Sequence, residues 1–108
     1  MSLTAFVNKY TPDMAPELLE IARQLEGFNA LLSGFGAGPQ KPDDPDQRQR
    51  ISVLIDNPWR EEQWVTIYSA TYCEYWSEGE TYHLTLADLF DYLRQLPRPL
   101  HTFGKFRP

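Results

Sequence analysis

Cysteine is nearly missing. Cys73 is the single thiol in 108 residues, which excludes an intrachain disulfide and is compatible with a reducing compartment. Histidine is scarce too: His83 and His101 fall on separate elements, so no His pair or Cys–His set stands at metal-ligand spacing. No run reaches the roughly 18 apolar residues that a bilayer span requires. Residues 1–10 show no basic start followed by an apolar stretch, as a secretory leader would. The expectation is a soluble, cytoplasmic chain with no membrane partner. Basic residues are outnumbered as well, ten against fifteen acids, for a formal net charge of −5. That balance disfavours direct nucleic-acid binding, where phosphates demand Lys and Arg, and it favours a basic protein partner.

What is present is a packed domain. Hydrophobic residues make up 42% and aromatics 14% of the chain, enough for one domain over 1–108 with its own core. Residues 63–77 alternate strictly. Trp64, Thr66, Tyr68, Ala70, Tyr72, Glu74 and Trp76 fall on one side, and Val65, Ile67, Ser69, Thr71, Cys73 and Tyr75 on the other. The sequence therefore predicts one long strand there, a turn at Ser77–Glu80 around Gly79, and a returning strand over 81–84. The apolar run Ile51–Ile55 predicts a further strand over about 51–56, closed by Asp56-Asn57-Pro58. A helix over about 14–32 follows from Leu18, Ala22, Leu25 and Leu32, with Asp13 as N-cap and Pro16 in the first turn. A second, over about 86–96, follows from Leu86, Leu89, Phe90 and Leu93 behind a Thr85/Asp88 capping box. Ser2–Lys9 reads as either a short helix or an arm. Gly and Pro make 34–49 a flexible connector, and 97–108 reads as an extended tail. The expected fold is α+β, with a three-stranded antiparallel sheet (51–56, 63–77, 81–84) and both helices on one face.

Chemistry is harder to find. The glycines of 34–38 lack the lysine and hydroxyl of a phosphate loop, and Asp43, Asp44 and Asp46 lack the glycine and terminal glutamate of a calcium loop. A Cys73–His83 dyad across the hairpin would need a lowered thiol pKa and an orienting group. Glu74 with Glu78 or Glu80 would need a sugar cleft, which so small a sheet rarely offers. No catalytic residue, cofactor or metal is expected. The informative constellation is acidic and aromatic. Between Asp56 and Asp91 there are eight acids and one base, whereas Arg94–Pro108 holds four bases and no acid. Interface anchors favour Tyr and Trp at the centre with charge at the rim. The candidate partner-binding residues are Asp56, Trp59, Glu61, Glu62, Glu74, Tyr75, Trp76, Glu78, Glu80 and Tyr82.

Ile55-Asp56-Asn57-Pro58-Trp59, followed by the strand Trp64-Val65-Thr66-Ile67, resembles the turn and aromatic strand of small acidic immunity proteins from bacterial polymorphic-toxin and contact-dependent inhibition systems. The match covers under a fifth of the chain and its motif is a turn signal. The resemblance implies a protein that binds and neutralises one cognate toxin domain, without cofactor or reaction. Many such toxins are basic nucleases. The alternatives are an adaptor or subunit of an intracellular assembly and, third, a small ligand-binding domain or enzyme. Oligomeric state does not follow from the sequence.

Overall fold

The computed structural model describes residues 2–39, 43, 45–56, 62–77 and 79–96. The expected tail at 97–108, Asn57 and Pro58 of the expected turn, and 40–42 and 44 of the expected connector lie outside the described residues.

Ser2–Lys9 resolves as a helix, α1 (Leu3–Tyr10). Its first-turn donors are satisfied twice. Ser2 Oγ accepts from the Ala5 N–H at 3.2 Å, and Glu26 Oε1 accepts from the Thr4 N–H at 2.7 Å. Helix α2 (Pro16–Leu25) begins with Pro16 in its first turn as expected, but Asp13 is not its cap. Ala15 occupies the N-cap position, and its N–H is taken by the side-chain oxygen of the distant Gln49 at 2.7 Å. The helix is also shorter than the 14–32 stripe implies. It tightens into a 3-10 turn (Glu26–Leu31) with Phe28 out of helical geometry, beside Gly27 where helix propensity is weak. Leu32 already belongs to a strand.

That strand is the first correction to the expected sheet, which has five strands among the described residues, not three. They are β1 (Leu32–Gly38), β2 (Arg50–Ile55), β3 (Gln63–Ile67), β4 (Cys73–Ser77) and β5 (Glu80–Leu84). The order is β1-β2-β3-β4-β5, all neighbours antiparallel, as a simple meander. β1 lies partly in the stretch read as connector. Its glycines hid it: at Gly34 a Cβ would stand 3.3 Å from the Trp64 indole and 3.2 Å from Leu54 Cβ. Glycine there lets the Trp64 side chain fold across β2 onto β1. The long strand 63–77 is the second correction. It breaks into β3 and β4 around a reversal at 68–72, where Tyr68 and Ser69 N–H groups donate to the Tyr72 carbonyl at 3.1 and 3.2 Å. Residues of two helices hold that reversal. Leu86 N–H donates to the Ala70 carbonyl at 2.9 Å, and Glu17 Oε1 accepts from the Ala70 N–H at 3.2 Å. The β4–β5 turn is as expected, with Gly79 at φ 85°.

Helix α3 (Leu86–Arg94) enters through the expected reciprocal cap. Thr85 Oγ1 accepts from the Asp88 N–H at 3.2 Å, and Asp88 Oδ2 accepts from the Thr85 N–H at 3.3 Å. Ile51, Val53, Ile55, Val65, Ile67, Cys73, Tyr75 and Leu84 alternate toward one side of the sheet. They form a single core with Leu3 and Val7 of α1, Leu18, Ile21 and Leu25 of α2, and Leu86, Leu89, Tyr92 and Leu93 of α3. Phe28 stacks on Phe90 at 5.3 Å, which ties the 3-10 turn to α3. All three helices thus cover the same sheet face, and the α+β class holds. Among the described residues, no helix is long and apolar enough to cross a membrane.

Candidate partner-binding face

Strand alternation sends every second side chain to the sheet face opposite the helices. Register lines these residues up in rows. Gly36, Ser52, Thr66, Glu74 and His83 are successive cross-strand partners and form one row across all five strands. The row is short and polar, and Ser52 and Thr66 share a hydroxyl hydrogen bond at 3.3 Å. Toward one end of the strands, Gly34, Leu54 and Trp64 form the next row, and the paired Trp76 and Thr81 lie at the same level on β4 and β5. Trp76 is 66% exposed and Trp64 38%. Asp56 and Glu62, both exposed, flank the β2 and β3 ends of this row.

Toward the other end lies a cluster of rings and charges. Arg48 sits over the Tyr68 ring, 4.0 Å from its centroid, and donates to both Asp46 carboxylate oxygens at 3.0 Å and to the Tyr68 hydroxyl at 3.1 Å. This pairing holds the Asp46 carboxyl down at about 2 and raises the Arg48 guanidinium further. Tyr68 and Tyr72 approach to 5.5 Å, and Tyr72 and His83 to 5.5 Å. The Tyr72 hydroxyl donates to Glu74 Oε1, and that bond raises its phenolic pKa.

The expected site residues divide. Asp56, Glu62, Glu74 and Trp76 belong to the face that no helix among the described residues covers, or to its end. Tyr75 does not: it is 3% exposed and faces the helices, packed 5.2 Å from Tyr82. Tyr82 is half-buried on that same side, and its hydroxyl donates to the exposed Glu80 at the β5 end at 3.3 Å. Tyr75 lies between Glu74 and Trp76 in sequence, yet odd and even positions part company in a strand. Trp59, Glu61 and Glu78 lie outside the described residues. The residues missing from the expected set are Trp64, Thr66, Tyr68, Tyr72 and His83. The alternation over 63–77 was the signal that places the first four beside Trp76.

The Cys73–His83 dyad is ruled out by geometry: Cys73 pairs with Leu84 and points into the core, while His83 pairs with Glu74 on the opposite face. Burial also pushes the Cys73 thiol up to about 12, far from a nucleophile's range. Among the described residues, no three His, Cys, Asp or Glu side chains gather as a metal site would require. A small cavity between Thr11, Met14, Gly38, Pro39 and Gln49, of about 50 Å³, has room for little more than a water molecule. The chain matches no protein-family model, no curated protein and no solved structure.

Proposed function

We propose that this protein is an immunity-type inhibitor. It acts in the cytoplasm and neutralises a basic bacterial toxin domain by docking it on the helix-free face of the sheet. The observation that carries the reading is the placement of Trp76. A two-thirds exposed indole on an uncovered sheet, next to Trp64 and within reach of Glu74, Glu62 and Asp56, is a poor use of surface unless something covers it. Small polar residues in the central row let a partner backbone come close, while the rings supply apolar area at its edge. The net charge of −5 gives a basic partner faster encounter.

Neutralisation is the test. Each protein encoded by a gene neighbouring this one is tested as the toxin, by co-expressing it with the wild-type chain and with a Trp76→Ala/Glu74→Lys double variant. The wild type should rescue growth and form a stable complex, and the variant should fold normally but lose rescue. A wild-type protein that neither binds nor protects refutes the assignment.

A further inference from the structure

The face contains one cation site filled from within, and a second carboxylate–aromatic pair that no cation among the described residues fills. In the first, the Arg48 guanidinium stacks on Tyr68 and bonds both oxygens of Asp46. In the second, Glu74 and Trp76 stand two residues apart on β4, roughly 7 Å along the strand and on the same side of it. Tyr72, two residues the other way, holds Glu74 Oε1 with its hydroxyl. The other oxygen, Oε2, receives no hydrogen bond from the described residues, and no guanidinium among them lies over the Trp76 ring. Arg48 is near enough for Glu74 to raise its pKa, but its own hydrogen bonds are committed to Asp46 and Tyr68.

Resting on the partner-binding reading above, we infer that the partner supplies an arginine side chain here, its guanidinium flat on Trp76 and bonded to Glu74. Arginine suits this pair better than lysine. A planar guanidinium stacks on an indole and still presents N–H groups to a carboxylate in its plane, whereas an ammonium is a compact, strongly hydrated charge. Tryptophan is also the strongest cation–π ring. Glu74 is half-buried and tethered by Tyr72, so its carboxylate is preorganised, unlike that of the exposed Glu62.

The full-length chain is titrated with three blocked tripeptides, Gly-Arg-Gly, Gly-citrulline-Gly and Gly-Lys-Gly, while the indole N–H and backbone amides are followed by NMR. The arginine peptide should shift the Trp76 indole and the Glu74 amide saturably. Citrulline, which keeps the planar group but loses the charge, and lysine should bind about tenfold more weakly. Glu74→Gln and Trp76→Phe should each weaken the arginine response several-fold. Equal responses to arginine and citrulline, or an unmoved Trp76, overturn the inference. So does an indole already shifted in the free protein that relaxes when Arg98 and Arg107 are replaced by glutamine, since the guanidinium would then be the chain's own. The two readings fail separately. A toxin domain that binds Glu74→Gln and Trp76→Phe as tightly as wild type removes the arginine site and leaves the docking face. An arginine response with no toxin complex does the reverse.

Discussion

Replacing Tyr92 by phenylalanine deletes one hydroxyl from the interior, and the consequences can be worked through atom by atom. Tyr92 is fully buried and Gln63 is 2% exposed; the hydroxyl donates to Gln63 Oε1 at 3.0 Å. Gln63 Nε2 is buried without a hydrogen-bond partner. Tyr92→Phe leaves the amide unsatisfied at both ends, at a cost of about 1–3 kcal/mol. For a chain of this size that is a fall in Tm of about 4–13 °C. Gln63→Met removes the unpartnered amide together with the acceptor, so loss and relief oppose each other and its net cost should be smaller. The double variant replaces both partners of this bond with apolar groups of similar shape, which offsets much of the loss for such a pair. The cycle should give a coupling of about 1–2 kcal/mol, with the double variant more stable than Tyr92→Phe alone. Urea unfolding followed by tryptophan fluorescence and by circular dichroism measures all four proteins. Strictly additive effects, or a neutral Tyr92→Phe, would refute the reasoning.

Other consequences can be checked on the same protein. Thr85→Ala removes the side-chain half of the α3 capping box and should cost about 1 kcal/mol in urea unfolding, with Thr85→Ser recovering most of it. Native Cys73, fully buried and with its thiol pushed up to about 12, should resist iodoacetamide at pH 8 and react promptly once urea unfolds the chain. Asp46 titrates at about 2 in the folded protein against an ordinary 3.8, so its contribution is fully present above the unfolded value and is lost as pH falls toward about 2. Carboxyl NMR should show that low titration, and Arg48→Gln should return it toward the ordinary range.

Where a residue's signal was local, the sequence was readable. Thr85 and Asp88 name their cap three residues apart, Gly79 marks a turn that uses positive φ, and the alternation over 63–77 assigns both faces of the sheet. That assignment survived even though the strand itself breaks, because the 68–72 reversal pairs Ile67 with Cys73 and returns the chain in phase. The break was invisible because Ser69, Ala70 and Thr71 offer no Gly, Pro or Asn. Its stability is tertiary, coming from Glu17 and the Leu86 N–H. β1 was invisible for the opposite reason: its glycines read as a connector, and Gly34 makes room for Trp64 of a strand some thirty residues away. Gln49 capping α2 in place of Asp13 is another long-range substitution that no local window contains. For the site, alternation correctly grouped Glu74 with Trp76. The broader acidic-aromatic set, gathered by sequence proximity, drew in Tyr75 and Tyr82 from the helical side of the sheet.

The footprint of the proposed toxin partner on this chain, read by cross-saturation NMR, bears most directly on the proposal that the sheet face opposite the helices is the docking surface. Attenuation should concentrate on Trp64, Thr66, Glu74, Trp76 and His83 and spare the exposed sides of α1, α2 and α3. A footprint on the helices, with Trp76 still open to solvent, would contradict it.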